Sequence, residues 1–378
     1  MGTSGILEVA VACELDFLVI FVSANKDAKM ASNPFEVIAN LDEEIRQIKE
    51  IERLMVELLK KRYADSGRFL RGVHPKSHGC FNAEFQVLED IEEELRVGLF
   101  AEPGARFNAI VRYSNADSLV RPDLRDGENG SRGMALKILN VPGEKVFGAD
   151  EDSQDFLMIN TAEFAFADIA AYLRLQQVLL EFNDKPEPFF DFKDLDPANP
   201  ADLIVLKQIK QSGAVLAKIK QTPVANPLEV AYFGAAPFLF GNDRAMRVSV
   251  VPIVAPEQVV AEDPDENYLR NAIATTMENN EDVVFDFKIQ VRQAGEDNLF
   301  IEDATKSWSF DEFPGKTVAR LTIPAPQQDD KSCEKQFFTP WHSLADHQPL
   351  GGINRLRKAV YIASAKRRQA GVKQDGKC

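Results

Sequence analysis

The sequence contains few of the residues that signal a metal cluster or a disulfide-rich fold. Its 378 residues include only four cysteines, four histidines and two tryptophans. The cysteines, Cys13, Cys80, Cys333 and Cys378, are scattered without Cys-x-x-Cys spacing. Neither a zinc site nor a disulfide framework is therefore predicted, and a reducing, cytoplasmic compartment fits this cysteine usage best.

Positive charge and long apolar runs are scarce as well. The formal net charge is −15 and no long basic run occurs, which argues against nucleic acid or anionic lipid as a partner. The most apolar stretch, Ile6–Val22, carries Glu8, Glu14 and Asp16 and follows no basic segment, so it predicts neither a signal nor a membrane anchor. Met30 is a plausible natural start, which would place residues 1–29 outside the native chain.

Alternating apolar and polar residues predict two groups of four strands. The first group comprises 81–88, 106–113, 132–139 and 155–160, and the second comprises 229–240, 245–254, 283–293 and 317–323. Helical patterns at 168–182 and 200–220 separate the groups, and the charged segment 123–131 is predicted to be a loop. This order suits a closed antiparallel barrel, although the pattern alone does not distinguish a barrel from a sandwich.

An amphipathic helix is predicted before the first strand group. Asn40 and Glu43 form an N-cap and capping-box pair, and apolar residues then recur at helical spacing as far as Lys61. We expect this apolar stripe to pack on the barrel or on a second subunit, so a homodimer is one option. Membrane-surface contact is the weaker alternative, because the polar face mixes glutamate with lysine.

Near the C-terminus, Arg357 and Tyr361 lie four residues apart. On a helix these positions lie one above the other, so the guanidinium can reach the phenol oxygen and favour the phenolate. A tyrosine phenolate is one of the axial ligands that proteins use for heme iron. The spacing alone is common, however, and is also typical of a surface helix with a packed tyrosine.

From residue 68 onward the sequence resembles the heme catalase superfamily, in particular its short catalase-like peroxidases. The resemblance rests on segments that follow the family's order along the chain. These are Arg71–Lys76, Val111–Ser114, Gly130–Lys137, Ile159–Thr161, Phe285–Val291, Val318–Pro324 and Phe338–Arg355.

The resemblance implies an α+β fold, with an eight-stranded antiparallel β-barrel and inserted and C-terminal helices. The implied boundaries start with an N-terminal extension at 1–40 and the amphipathic helix at 41–66. A heme-binding barrel domain then covers 67–325, with a helical insertion at about 168–225, and a wrapping segment with the proximal-ligand helix covers 326–378.

On the distal side of a heme, the resemblance implies three catalytic residues. His74 would take a proton from a peroxide and return it to the leaving oxygen. Asn160 would donate a hydrogen bond to the developing negative charge, and Ser114 would hold the other imidazole nitrogen of His74. Val73, before the histidine, would contact the cofactor.

On the cofactor itself, the resemblance implies ferric heme b with Tyr361 as the iron ligand and Arg357 beside it. Arg71, Arg112 and Arg368 match the arginines that pair with the heme propionates. The other histidines have weaker claims. His342 and His347 are expected to be structural, and His78 has no third ligand nearby for a metal.

Three functions stay open at this point. The favoured one is a heme enzyme that reduces or dismutates hydrogen peroxide or organic hydroperoxides, with a small-molecule electron donor. The second is an enzyme that rearranges fatty-acid hydroperoxides, as allene oxide synthases do. Ala165, which stands where catalases carry an aromatic residue, supports it by implying a wider cavity, whereas Val73 opposes it. The third is a heme-binding protein with little turnover.

Overall fold

The computed structural model describes most of the chain from Phe35 onward. The described ranges are 35–64, 69–147, 152–279, 281–293 and 299–375. The predictions for Ile6–Val22 and for a start at Met30 lie outside the described residues.

Nine strands form one sheet, and eight of them close into an antiparallel barrel, as expected. The strands are β1 (Ser77–Val87), β2 (Arg106–Asn115), β3 (Arg132–Ile138), β4 (Gln154–Ile159), β5 (Tyr232–Phe233), β6 (Phe238–Phe240), β7 (Arg244–Pro252), β8 (Val283–Gln293) and β9 (Lys316–Ile323). Strands β1 to β4 pair in sequence, β5 joins β4 to β7, and β8 and β9 return to β1. The predicted strand at 229–240 is broken into β5 and β6, which both pair with β7.

Six helices accompany the barrel in the described part of the chain. They are α1 (Leu41–Arg62), α2 (Ile169–Glu181), α3 (Pro200–Lys220), α4 (Tyr268–Glu278), α5 (Leu299–Glu302) and α6 (Gly352–Asp375). The helices predicted at the N-terminus, at 168–182 and at 200–220 are confirmed. Helix α4 was not predicted, although Leu269, Ile273 and Met277 recur every four residues and are all buried.

Aromatic side chains fill the barrel interior. Phe287 lies at the centre of this packing, with its ring centroid 5.2 Å from that of Phe85, 5.1 Å from that of Phe156 and 5.9 Å from that of Phe100. All four side chains are fully buried. The interior is thus a packed core, and any cofactor site must lie elsewhere.

Helix α1 packs differently from the prediction. Asn40 caps it by accepting a hydrogen bond from Glu43 N at 3.1 Å. Its stripe packs on two other helices rather than on the barrel, since Ile51 and Leu54 cluster with Leu173 of α2 and Leu356 of α6. Apolar periodicity identifies a buried face, but it does not identify what covers that face.

The prediction that the cysteines form no disulfide is wrong for one pair. Cys80 on β1 and Cys333 are bonded, at a sequence separation of 253 residues. The fold brings them together, and spacing along the chain cannot show this. Because Cys80 and Cys333 form a disulfide, the cysteine usage no longer favours a reducing compartment. No helix in the described ranges combines the length and apolar character needed to cross a membrane.

Candidate functional site

The candidate site lies between the outer wall of the barrel and helix α6. Tyr113 belongs to the apolar interior, so Arg112 and Ser114 on either side of it face outward. Helix α6 approaches this face where the Arg357 guanidinium donates from Nη2 to the backbone oxygen of Leu157 on β4, at 3.3 Å. The alternation of side chains along β2 and the position of α6 therefore place the candidate residues of the distal side and those of the proximal side in one cleft.

His74 sits on this face in an unusual backbone conformation. Its φ is 59°, in the left-handed region, which costs about 1–3 kcal/mol for a residue other than glycine. Surrounding bonds hold it there, because His74 N donates to Asp117 O at 2.9 Å and Arg112 Nη2 donates to His74 O at 3.0 Å. The imidazole Nδ1 lies 3.0 Å from Ser114 Oγ, within hydrogen-bond distance. Backbone and ring are thus both fixed.

The His74 ring fits into a space that only glycine leaves open. A Cβ atom added at Gly133 would lie 2.5 Å from both Cε1 and Nδ1 of the ring. Burial, followed by the positive charges of Arg112, Arg357 and Arg71, lowers the pKa of His74 to about 3. The half-buried imidazole is therefore neutral at physiological pH, with a lone pair that can take a proton.

Asn160 lies next to this histidine pocket and has one free donor. Its Oδ1 accepts hydrogen bonds from Arg132 N at 2.7 Å and from Ser131 Oγ at 3.3 Å, and Arg132 adjoins Gly133. Its amide Nδ2 is buried without a hydrogen-bond partner in the part of the chain that the structure describes. Because an unsatisfied buried donor is costly, this amide is available for a ligand.

Three arginines converge beside the pocket, and we call Arg71, Arg112 and Arg368 the arginine cluster. Arg71 and Arg368 both donate through Nη2 to the backbone oxygen of Gln336, at 3.1 Å and 3.4 Å. Arg112 Nε donates to Glu334 Oε1 at 2.8 Å. Burial, followed by repulsion from Arg112 and Arg368, lowers the pKa of Arg71. Such crowded cations stabilise a bound anion.

Helix α6 holds the proximal candidates. Tyr361 is half-buried, and the Arg357 guanidinium carbon lies 5.5 Å from its ring centroid. The expected guanidinium bond to the phenol oxygen is not found among the described residues; Arg357 instead donates to Asn354 Oδ1 at 3.1 Å and to Leu157 O. The cation therefore faces the ring of Tyr361 rather than its oxygen.

A hydrogen bond links the loop that carries His74 to helix α6, across the cleft. Gly72 N, two residues before His74, donates to Ser364 Oγ on α6 at 3.1 Å. Val73, which is half-buried, lies between them in the same loop. The loop that carries the distal candidate is thus fixed relative to the helix that carries Tyr361.

The expectation of a cavity widened at Ala165 is wrong. Ala165 is only 9% exposed and packs against Val215 and Ile219 of α3. Its neighbours Phe164 and Phe166 form an aromatic cluster with Tyr172, their ring centroids lying 6.3 Å and 5.7 Å from that of Tyr172. The small side chain accommodates a helix and leaves the aromatic wall intact.

The remaining histidines have structural partners. His342 Nδ1 lies 3.0 Å from Asp155 Oδ2, and His347 Nε2 accepts from Leu99 N at 3.0 Å. His78 Nε2 lies 2.8 Å from Asn115 Oδ1. No group of three or more His, Cys, Asp or Glu side chains in the described ranges is arranged to hold a metal ion.

Sequence reasoning missed Glu334 and Gly133 as members of the site. Glu334 lies 222 residues from Arg112, so no local pattern links them. Gly133 lies within the segment Gly130–Lys137 that resembles the family, but its contact with His74 depends on the three-dimensional position of the ring.

No protein-family sequence model and no curated protein sequence matches the chain. Solved structures do match. A bacterial catalase aligns with a TM-score of 0.60 and 18% identity, over 90% of this chain and 62% of that one. The chain has a catalase-like fold.

Two further solved structures support the same fold. A fungal catalase aligns with a TM-score of 0.62 and 17% identity over 79% of this chain and 59% of its own. Catalase A from Saccharomyces cerevisiae aligns with a TM-score of 0.62 and 16% identity over 83% of this chain and 63% of its own. The chain thus spans 59% to 63% of the length of these catalases, and the likeness concerns the fold.

Proposed function

We propose that this protein is a heme-dependent enzyme that reduces or dismutates hydrogen peroxide or organic hydroperoxides. The electrons come from a small-molecule donor or from a second peroxide. The observation that carries the proposal is the pairing of a neutral, fixed imidazole on His74 with the unpartnered amide of Asn160, both against residues 132–133. These are an acid–base group and a hydrogen-bond donor for negative charge.

The residues present fit a heme with two propionates. The arginine cluster offers three cations to one carboxylate, which leaves an excess of two positive charges for two propionates. Tyr361 on α6 would ligate the iron, and Arg357 would favour its phenolate by charge. When bound, heme would supply the redox chemistry of peroxide cleavage.

The chain's own residues would direct the proton. When His74 Nδ1 donates to Ser114 Oγ, Nε2 keeps its lone pair and can take a proton from the peroxide oxygen. The resulting imidazolium can return that proton to the leaving oxygen, which then departs as water or alcohol. The Asn160 amide would donate to the oxygen on which negative charge develops.

The test is the visible spectrum and peroxide turnover of the holoprotein and two variants. We expect Tyr361→Phe to lose bound heme, because it removes the iron ligand. His74→Ala should keep heme and lose about 10²- to 10⁴-fold in turnover, the usual contribution of a positioned acid–base group.

Tyr113→Phe is the matched control for the tyrosine change, because Tyr113 points into the barrel interior and its buried hydroxyl has no partner among the described residues. It should keep both heme and turnover. Unchanged heme content in Tyr361→Phe would contradict the assignment of Tyr361 as the iron ligand, and wild-type turnover in His74→Ala would contradict the enzymatic role.

A further inference from the structure

A carboxylate lies within the arginine cluster and contacts two of its members. Glu334 accepts two side-on hydrogen bonds from Arg112: Nε donates to Oε1 at 2.8 Å, and Nη2 donates to Oε2 at 3.3 Å. Its Oε2 also lies 3.6 Å from Arg71 Nε. This is the forked geometry in which arginine binds carboxylates, so Glu334 occupies donors that an anionic ligand would otherwise use.

Glu334 also determines the charge of the cluster. Burial, followed by Arg112, lowers the pKa of Arg368 to about 10, and Glu334 is the acidic group that opposes this shift. The same carboxylate opposes the lowered pKa of Arg71. Three guanidinium groups and one carboxylate leave two positive charges.

The turn that carries Glu334 is anchored on both sides. Cys333 is bonded to Cys80 of β1, and Asp330 N donates to Cys80 O at 2.9 Å. The backbone oxygens of Glu334 and Gln336 accept from Arg71 at 3.2 Å and 3.1 Å. The carboxylate therefore has a fixed place beside Arg112, although its side chain is 41% exposed.

We infer that Glu334 holds the arginine cluster at two positive charges and so limits the preference of the site for a porphyrin with ionised carboxylates. This inference rests on the proposed function, since the ligand is the cofactor of that site. A cluster with three charges would attract a dianionic porphyrin more strongly, whereas a porphyrin with esterified carboxylates would gain little. Glu334 thus limits affinity while it offsets repulsion among the arginines.

The experiment titrates apoprotein with hemin and with hemin dimethyl ester, followed by absorbance. The quantity of interest is the ratio of the two dissociation constants, ester over hemin. Glu334→Gln keeps the shape and removes the charge, so this ratio should rise about tenfold, a difference that corresponds to ~1.4 kcal/mol. The increase in this ratio should be smaller at high salt, because the Glu334 side chain is partly exposed and its charge is screened.

Two variants serve as controls. Glu334→Asp keeps the charge and should keep the wild-type ratio. Glu84→Gln removes a carboxylate of similar exposure, 44%, which pairs with Arg106 at 2.6 Å on the barrel wall, and it should also leave the ratio unchanged. A ratio in Glu334→Gln that is unchanged or lower overturns the inference, and a lower ratio would mean that Glu334 orients the arginines instead.

A second measurement does not depend on heme. Burial raises the pKa of Glu334, but Arg112 and then Arg71 outweigh it and lower the pKa to about 2. Because the folded-state pKa lies below the ordinary value of 4.5, the charge stabilises the folded apoprotein above pH 4.5, and that stabilisation is lost as the pH falls toward 2.

The difference in unfolding free energy between wild type and Glu334→Gln should therefore shrink over this interval. A difference that stays constant with pH would show that the Glu334 carboxylate does not interact with the arginines, and it would overturn the inference. Wild-type protein that binds neither porphyrin, but shows the pH effect, would contradict the proposed function while leaving the ion pair of Glu334 in place.

Discussion

Substituting alanine for Gly133 should lower the proposed turnover without replacing any residue that is proposed to contact substrate or iron. The added Cβ would lie 2.5 Å from Cε1 of His74, about 1 Å closer than the optimal separation of two carbon atoms. The same Cβ would lie 3.0 Å from Ser114 Oγ. Strand β3 cannot yield, because Gly133 is paired with Ser114 on one side and with Ile159 on the other. The imidazole must therefore move.

The size of the effect follows from this displacement. A ring shifted by about 1 Å loses its contact with Ser114, and a misplacement of that size in a reacting group can cost about 10²-fold in rate. Overpacking should also lower the free energy of unfolding by about 1–3 kcal/mol. Heme content should not change, since the three atoms nearest to the added Cβ belong to His74 and Ser114 rather than to α6.

The assay is peroxide-driven oxidation of a dye, expressed per bound heme, after absorbance has shown equal occupancy. Gly213→Ala is the matched control, because a Cβ at Gly213 on α3 would meet nothing within 4 Å. It should keep full activity. If Gly133→Ala had wild-type turnover and wild-type heme content, the placement of His74 against β3 would be wrong.

Two further predictions concern stability. His74, His78 and His347 have pKa values lowered by burial to about 3, 4 and 4, so below pH 6.5 the unfolded chain binds protons that the folded chain does not. Stability should fall as the pH drops from 7 to 5, by up to ~1.4 kcal/mol per pH unit for each histidine, and a flat urea-unfolding profile would contradict this. Reduction of the Cys80–Cys333 bond should cost about 2–5 kcal/mol, because the bond closes a long loop. Cys80→Ser should not respond to reductant, whereas equal urea midpoints of wild type with and without reductant would refute this contribution.

Much of the fold could be predicted because it follows from local periodicity. Alternation along β2 and β8 and helical spacing along α1 are properties of short segments, so the sequence predicts each of these elements. The closure of the barrel could not be derived in this way. It depends on β5, two residues long, which pairs with both β4 and β7. The resemblance to a known family supplied that closure.

The candidate site, like the fold, could be predicted only in part from the sequence. The role expected of His74 rests on a local segment that resembles the family, whereas the features that fix it are distant in sequence, such as the Ser114 hydroxyl and the Arg112 guanidinium. Glu334 and the Cys80–Cys333 bond join segments separated by 222 and 253 residues. Contacts of this kind depend on how the elements pack, which local patterns do not encode.

Ala165 shows how a family resemblance can give a wrong structural inference. Counting from Asn160 predicts its position in the chain, but not the direction of its side chain. Phe164 and Phe166 both contact Tyr172, whereas Ala165 packs on Val215 and Ile219 of α3. Burial, followed by the nearby Tyr361, raises the pKa of Tyr172 to about 12, which places the aromatic cluster near the proximal side. A larger residue at 165 would therefore press on Val215 and Ile219 rather than narrow the cleft.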